Sequence, residues 1–188
     1  MLNAIRSGDI VWDVGANIGF YTTRFLERVG PSGRVVAVEP VPSNATICRG
    51  LKVAGENRLE VIEAALGAAD GQTRMHDNET YSTLSQISDD GSLVVRQMTG
   101  DGLLGTLKKA PTIVQNDVEG YELDVLRGMP KVLAEHSLRS VFVEVYSVIM
   151  EANGLKDGGD KIVRLLASSG FKITWLDFSH LMAVREIT

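Results

Sequence analysis

The residues with the clearest chemical potential lie at 11–22, where a short apolar strand runs into an acid and two glycines. Asp13 precedes Gly15, and Gly19 follows at the start of a helical pattern. Glycine permits a positive φ and lets backbone N–H groups approach a ligand, and the helix N-terminus adds partial positive charge. The spacing is not the Gly-x-Gly-x-x-Gly of dinucleotide folds, whose pyrophosphate needs the middle glycine. An acid before the first glycine instead favours a cationic ligand end, such as an ammonium beside a sulfonium. The natural candidate is S-adenosylmethionine.

A second acid, Glu39, ends the next apolar run. Rossmann-like folds place a carboxylate on the ribose hydroxyls about 20 residues after the glycine turn, which is the position of Glu39. Asp13 alone has an ordinary explanation, because an acid can cap a turn or helix through backbone N–H groups. Two carboxylates at neighbouring strand ends predict a nucleoside site.

Composition excludes several classes of function. The chain has 188 residues, 44% of them hydrophobic, and a formal net charge of −5, which fits one globular domain. It contains no apolar run of about 18 residues and no signal-peptide pattern, so we expect a cytoplasmic chain without a membrane span. The charge disfavours a nucleic-acid partner and fits a small-molecule or glycan acceptor better. The single Cys48 and three scattered histidines predict neither a disulfide nor a zinc site.

From Ile10 onward, β-branched runs alternate with amphipathic segments, which is typical of parallel strands joined by crossover helices. The predicted strands are 10–14, 34–39, 59–63, 112–117 and 140–145, and the predicted helices are 18–29, 43–54, 120–135 and 159–169. Two last strands, 171–176 and 181–187, flank a turn signal and predict a hairpin. A mostly parallel seven-stranded sheet with a C-terminal antiparallel hairpin and helices on both faces resembles the Rossmann-like α/β architecture of class I methyltransferases.

Residues 67–110 break this rhythm. Segments 71–77 and 92–98 predict two extra strands around a polar loop, and 99–109 predicts a short helix. We expect residues 1–188 to form a single domain in which this β-rich insertion lies beside the ligand edge of the sheet.

A second polar motif, Asn116-Asp117-Val118-Glu119-Gly120-Tyr121-Glu122, follows the apolar run 112–114. Its acids have an ordinary explanation, because carboxylates in a first helical turn gain ~0.3 to 1 kcal/mol from capping and the helix dipole. However, strand four of an open α/β sheet lies next to strand one, so its end flanks the ligand crevice. We therefore expect Asn116 and Asp117 to face the reactive end of the cofactor.

These motifs resemble the FkbM family of S-adenosylmethionine-dependent methyltransferases. The resemblance covers roughly residues 7–146 and rests on Asp13-Val14-Gly15-Ala16-Asn17-Ile18-Gly19, Glu39-Pro40, Ala65-Leu66-Gly67, Asp117-Val118-Glu119-Gly120-Tyr121-Glu122-Leu123 and Val143-Glu144-Val145. It implies a class I fold and methyl transfer, usually to a hydroxyl oxygen on a sugar, glycan, lipid-linked or polyketide-type acceptor.

Two features depart from the family pattern. Members commonly have Lys-Ile-Asp before Val-Glu-Gly, where this chain has Gln115-Asn116-Asp117. The chain also begins almost at strand one, whereas many relatives carry an N-terminal extension that can cover the cofactor or acceptor. If the family lysine shapes the acceptor side or its charge balance, Gln115 alters it, so the resemblance specifies the reaction better than the acceptor.

Methyl transfer to a hydroxyl needs an aligned nucleophile and benefits from a general base within ~2.6 to 3.2 Å of its proton. Asp117 and Glu119 are the candidate catalytic residues. Asp117 has an alternative role at the methionine ammonium, which leaves Glu119 or the insertion to supply the base. Glu144, at the end of strand five, either reaches the acceptor or hydrogen bonds a neighbouring loop or helix.

The predicted cofactor ligands divide by the part of the cofactor that they face. They are Asp13, Gly15, Ala16 and Asn17 on the methionine side, Tyr21 and Thr22 near its carboxylate, Glu39 at the ribose, Glu63 and Ala64 at adenine, and Asn116 at the reactive end. Tyr21 equally fits a core position on its helix. The oxygens of Asn116, Asp117 and Glu119 suit magnesium, but their spacing is not diagnostic and we predict no metal site.

Two other classes of function compete with a methyltransferase. A nicotinamide-dependent oxidoreductase is disfavoured by the missing middle glycine and by the lack of a convincing Tyr-x-x-x-Lys pair. A non-catalytic S-adenosylmethionine-binding domain would keep Asp13 and Glu39 but would tolerate loss of the acids at strand four. The presence of Asp117 and Glu119 favours an enzyme.

Overall fold

The structure is a computed structural model that describes residues 1–51, 57–76, 86–87 and 91–185. Its strands are β1 (Ile10–Val14), β2 (Arg34–Val38), β3 (Leu59–Ile62), β4 (Ala65–Leu66), β5 (Gly71–His76), β6 (Gln86–Ile87), β7 (Leu93–Met98), β8 (Ile113–Asn116), β9 (Ser140–Glu144), β10 (Phe171–Trp175) and β11 (His180–Arg185). Its α-helices are α1 (Phe20–Val29), α2 (Pro42–Gly50), α3 (Gly100–Leu107), α4 (Glu122–Arg127), α5 (Pro130–Ala134), α6 (Ser147–Ala152) and α7 (Gly158–Ser168). A 3-10 turn, Leu2–Ala4, precedes β1.

Seven strands form the main sheet in the order β10-β11-β9-β8-β1-β2-β3. The pairs β1–β2, β2–β3, β1–β8 and β8–β9 are parallel, whereas β11 runs antiparallel to β9 and β10. The mostly parallel seven-stranded sheet with its C-terminal antiparallel hairpin is therefore confirmed.

The side chains of β1 show how helices cover both faces of this sheet. Trp12 and Val14 point into a core that includes apolar residues of α4, α5 and α7, whereas Val11 packs into a second core with Phe25 of α1. Burial on both faces explains why the parallel strands are continuous apolar runs rather than alternating ones. Helices lie on both faces, as the sequence predicts.

Most element boundaries agree with the sequence pattern, but the single helix predicted for 120–135 is wrong. The structure has α4 and α5 instead, because Pro130 has no N–H to continue a helix and is well suited to begin one. Gly30 and Gly170 follow α1 and α7 with positive φ values of 66° and 84°, a conformation that glycine often takes at helix C-termini. No helix in the described part of the chain has the length and apolar composition needed to cross a membrane.

A second sheet has the order β4-β7-β5-β6. Its strands β5 and β7 correspond to the extra strands predicted at 71–77 and 92–98, whereas the short strands β4 and β6 were not predicted. Most of the intervening polar loop lies outside the described residues. Met75 of β5 and Ile87 of β6 reach the edge of the main sheet where β1, β2 and β8 end. The second sheet therefore forms one wall of the site described next.

Candidate cofactor and active site

A crevice opens where β1, β2 and β8 end. About 560 Å³ lies between its walls, including the part open to solvent. It is lined by Val14, Gly15, Asn17, Val38, Glu39, Pro40, Asn44, Ala64, Ala65, Leu66, Met75, Ile87, Asp117, Val118 and Glu119. Here β1 lies between β2 and β8, so the crevice is at the topological switch point where open α/β sheets bind ligands.

Gly15 permits close contact between the loops that follow β1 and β8. Its φ is 84°, and a β-carbon built there would lie 1.8 Å from the carbonyl oxygen of Asp117. The N–H groups of Gly15 and Ala16 both donate to the carbonyl of Val38, at 3.0 and 3.1 Å. The glycine therefore lets the ends of β1, β2 and β8 converge without a side chain between them.

Glu39 organises the wall at the end of β2. Its carboxylate accepts hydrogen bonds from the N–H groups of Asn17, at 2.8 Å, and Val41, at 2.9 Å. Burial raises the pKa of Glu39, although these hydrogen bonds and one from Asn44 lower it. Carboxylate oxygens have several lone pairs, so Glu39 retains acceptor capacity toward the crevice. Cys48 supports the same loop, because its thiol donates to the carbonyl of Asn17 at 3.0 Å.

The loop after β8 carries Asp117 and Glu119 in an unusual backbone conformation. Glu119 has a φ of 53° and Gly120 one of 101°. A positive φ is uncommon for a residue with a side chain, and such strain clusters at functional sites. The carboxylate of Glu122 stabilises the loop, because it accepts a hydrogen bond from the N–H of Gly120 at 2.8 Å. Glu122 is fully buried, and this burial raises its pKa to about 7.

The pKa of Asp117 is raised to about 7, first by burial and then by the negative charge of Glu144. A hydrogen bond from Tyr146 lowers the pKa of Asp117, and Glu119 and Asp13 raise it further. The pKa of Tyr146 is itself raised by burial and by these acids, so its hydroxyl stays protonated and can donate. Asp117 is therefore a carboxyl group that changes protonation near neutral pH and lines the crevice.

Asp13 lies behind the crevice wall rather than on it. It is buried, and its carboxylate accepts a hydrogen bond from the hydroxyl of Thr22 at 2.5 Å. Burial raises its pKa to about 7, with a smaller contribution from Glu39, while the bond from Thr22 lowers it. This pair fixes the start of α1 against the end of β1.

The structure thus brings Gly15, Asn17, Glu39, Ala64, Asp117 and Glu119 together on the crevice wall and places the other predicted ligands off it. Tyr21 stacks on Phe25, with 6.0 Å between ring centroids, in the core beneath α1. Glu63 forms an exposed ion pair with Arg49 at 2.7 Å. The remaining four, Asp13, Ala16, Thr22 and Asn116, are buried next to the crevice.

Several functional candidates have no distinctive sequence signal. Asn44 hydrogen bonds Glu39 from α2, and Tyr146 reaches Asp117 from the segment after β9. Met75 and Ile87 come from the second sheet. A polar aromatic residue directly after the fifth parallel strand was the only available clue to Tyr146. Within the described ranges, no group of three or more histidine, cysteine, aspartate or glutamate side chains is arranged to hold a metal ion.

The model of the FkbM methyltransferase domain matches residues 13–173. The chain belongs to the FkbM methyltransferase family. Family membership and the Rossmann-like methyltransferase fold are thereby confirmed, and S-adenosylmethionine is the cofactor of such a domain.

Individual proteins are similar to this chain in sequence or in fold. The chain is 27% identical over 150 residues to the hexuronic acid methyltransferase AglP of Haloferax volcanii, in a match that covers 78% of this chain and 60% of AglP. It is similar to the structure of methyltransferase FkbM from Methylobacillus flagellatus, with a TM-score of 0.64 and 18% identity, over 95% of this chain and 43% of that one. Precorrin-6y C5,15-methyltransferase from Geobacter metallireducens has a TM-score of 0.57 at 14% identity, over 97% of this chain and 82% of that one. At these identities the solved structures show the fold alone. The chain spans less than two thirds of the length of AglP and of the Methylobacillus protein.

Proposed function

We propose that this chain transfers a methyl group from S-adenosylmethionine to a hydroxyl oxygen of a sugar or glycan acceptor. The observation that carries the proposal is the convergence of Gly15, Glu39 and Asp117 on one crevice. A methyltransferase site needs a hydrogen-bond acceptor for the cofactor ribose, a glycine turn and a titratable carboxyl group. Such a site forms at the ends of the strands.

The crevice fits the cofactor part by part. Gly15 lines the crevice with backbone rather than a side chain, so the amino-acid end of the cofactor can approach the turn closely. Glu39 faces the ribose hydroxyls, and the apolar side chains of Ala64, Leu66 and Met75 provide an adenine wall. Asp117 and Glu119 supply negative charge beside the sulfonium. The bound cofactor supplies an activated methyl group, and the protein supplies the general base and the positioning of the acceptor.

Asp117 is our candidate for the general base. Its pKa of about 7 lets it accept a hydroxyl proton at neutral pH, which is the condition for efficient base catalysis. Tyr146 orients its carboxylate by donating a hydrogen bond. Glu119, held with a positive φ, is proposed to position the acceptor or to share the base role. Asp13 and Thr22 then act as positioning residues at the start of α1.

The sugar class of acceptor is supported by AglP, which is named as a hexuronic acid methyltransferase. We also propose that residues 1–188 act as a single methyltransferase domain, with the segment at about 67–110 as an insertion that closes the adenine side of the crevice. A cytoplasmic location and the absence of a nucleic-acid partner stay predictions from composition.

A non-catalytic cofactor-binding domain is the main alternative, and it predicts binding without turnover. Calorimetry should show saturable binding of S-adenosylhomocysteine and none of NAD. Tritium from methyl-labelled S-adenosylmethionine should then enter a panel of sugar acceptors as a base-stable ether. Binding of NAD without S-adenosylhomocysteine would support the oxidoreductase, and binding without any transfer would support the non-catalytic domain.

A further inference from the structure

A second cavity lies at the same edge of the main sheet, between α6, the start of α7 and the turn that joins β10 to β11. About 870 Å³ lies between its walls, including the part open to solvent. It is lined by Ser147, Glu151, Asp157, Gly158, Gly159, Asp160, Trp175, Asp177 and Phe178. The chain runs parallel in β9 and β10, so this cavity and the crevice both lie at carboxyl ends of strands.

Two chains of contacts connect this cavity with Asp117. Tyr146 hydrogen bonds Asp117, and the next residue, Ser147, lines the cavity. On the other side, Glu144 acts electrostatically on Asp117 and lies 3.5 Å from Nε2 of His180. Nδ1 of His180 lies 3.0 Å from the carboxylate of Asp177, which lines the cavity. Tyr146 and Glu144 therefore link the lining of this cavity with the proposed base.

Two aromatic side chains at the rim of this cavity are exposed to solvent. Trp175 is 43% exposed and Phe178, in the turn, is 96% exposed. A β-carbon on Gly159 would lie 3.8 Å from the indole of Trp175, so the ring is supported from below by the start of α7. Exposed apolar surface beside a cleft marks a binding site, and aromatic rings are the usual apolar lining of ligand pockets. The apolar C–H face of a sugar ring is suited to stack on such rings.

The charged side chains that line the cavity are carboxylates, which accept hydrogen bonds. Glu151, Asp157, Asp160 and Asp177 line it, and none of the described lining residues is a lysine or arginine. The pKa of Asp177 is lowered to about 2 by N–H bonds from Ser179 and His180, so it is ionised at any working pH. Carboxylates accept strong hydrogen bonds from hydroxyl groups but repel another carboxylate.

Two of these acids have a simpler role, because Asp157 and Asp160 lie at the start of α7, where negative charge stabilises a helix. The inference therefore rests on the two exposed aromatic side chains and on the contacts through Tyr146 and Glu144 that link the cavity with Asp117. The carboxylates determine only which sugars can bind to Trp175 and Phe178.

We infer that this cavity binds a neutral sugar residue of the acceptor, stacked on Trp175 and Phe178, and that its carboxylates reject uronic acids. The inference rests on the proposed sugar methyltransferase function and narrows its acceptor class. It distinguishes this chain from AglP, which is named for a hexuronic acid. Discrimination arises from repulsion of the wrong acceptor as much as from attraction of the right one.

Tryptophan fluorescence provides a direct test, because Trp12 is fully buried and the emission change on ligand binding reports Trp175. The probes are neutral trisaccharides of glucose, galactose and mannose, and trimers of the three corresponding uronic acids, each titrated with and without S-adenosylhomocysteine. We expect a saturable change with at least one neutral trisaccharide and at least tenfold weaker binding of every uronic acid trimer. No response to any neutral trisaccharide, or equal binding of the uronic acid trimers, would overturn the inference.

Variants separate the aromatic and acidic contributions. Phe178→Ala keeps the Trp175 reporter and should weaken binding of the neutral trisaccharide about tenfold, equivalent to ~1.4 kcal/mol. The double variant Asp157→Asn with Asp160→Asn should strengthen binding of uronic acid trimers and leave the neutral trisaccharide within twofold. Val148→Ala, an 81% exposed apolar residue outside the cavity lining, is the control and should change neither. Unchanged sugar binding in Phe178→Ala would overturn the inference.

The two proposals fail in different ways. If calorimetry shows binding of S-adenosylhomocysteine but fluorescence shows no neutral sugar, the acceptor class is wrong and the methyltransferase proposal stands. If S-adenosylhomocysteine does not bind, the proposed function is wrong, whatever the sugar titrations show.

Discussion

The carbonyl oxygen of Asp117 lies only 1.8 Å from the position that a β-carbon on Gly15 would take, so no side chain fits there. The glycine turn after β1 and the acidic loop after β8 are therefore packed directly on each other. This contact brings together two motifs that are separated by about a hundred residues in sequence.

Gly15→Ala should lose cofactor binding and destabilise the chain, because the new methyl group must displace the backbone of Asp117 and also takes a φ of 84°. Gly105→Ala is the matched control. It lies in α3 with no atom within 4 Å of the added carbon, and alanine is favoured over glycine in a helix by ~1 kcal/mol. Thermal unfolding and calorimetry with S-adenosylhomocysteine measure both effects. Normal cofactor affinity in Gly15→Ala would contradict the proposed contact.

Glu39→Gln should weaken binding of S-adenosylhomocysteine by about ten- to a hundredfold, because a charged acceptor for the ribose hydroxyls is worth ~1.5 to 3 kcal/mol. Asn17 and Val41 donate to different carboxylate oxygens, so the single carbonyl oxygen of glutamine keeps one of these two hydrogen bonds, whereas an alanine variant keeps neither. Glu60→Gln, on an exposed position of β3, is the control and should bind normally. An affinity within twofold of wild type for Glu39→Gln would place the ribose elsewhere.

The rate should depend on pH through Asp117. Because the base form is deprotonated and its pKa is about 7, kcat/KM for the cofactor should rise as pH increases through about 7 and then level off. Removing the negative charge in Glu144→Gln lowers the pKa of Asp117, so the midpoint should move to lower pH. The measurement is kcat/KM from pH 5 to 9 for both proteins. A midpoint that stays fixed or moves upward in Glu144→Gln would show that another group controls the rate.

The sequence located the strands and the crevice better than it located the side chains around the crevice. Runs of β-branched residues and glycines report local backbone preference, so β1 and β2 could be predicted, and the ends of parallel strands identified Glu39 and Asp117. Pro130 is a local signal as well, and the break between α4 and α5 could have been predicted from it.

The remaining site residues depend on packing between distant segments. Nothing in the spacing of Tyr146 or Met75 indicates that the first acts on Asp117 and the second lines the crevice. Both positions arise only when the second sheet and the segment after β9 pack at the same edge of the main sheet. The same reason explains Glu63, which lies at a predicted strand end but pairs with Arg49 of α2. Residue type and strand position are local properties, whereas side-chain partners are not.

Asp117→Asn should stabilise the cofactor-free chain at pH 8. Asp117 has a folded-state pKa of about 7 against an ordinary value of 3.8, so the folded chain holds a proton that the unfolded chain releases. Its contribution to stability is therefore lost as pH rises from about 4 through about 7. The Tm of Asp117→Asn should exceed that of wild type at pH 8, with a smaller difference at pH 5. Asp124→Asn, which breaks an exposed pair with Arg127, should change Tm little at either pH. A lower Tm for Asp117→Asn at pH 8 would contradict the burial of a charged group.

The most direct test of the account compares turnover and cofactor affinity in Asp117→Asn. Methyl transfer from labelled S-adenosylmethionine to a sugar hydroxyl should slow by roughly 10² to 10⁴, the usual contribution of a positioned base, while the Kd for S-adenosylhomocysteine stays within a few fold of wild type. Glu119→Gln, measured in parallel, shows whether the neighbouring acid shares the role. A wild-type rate in both variants would contradict the central claim that the acidic loop after β8 carries out the chemistry.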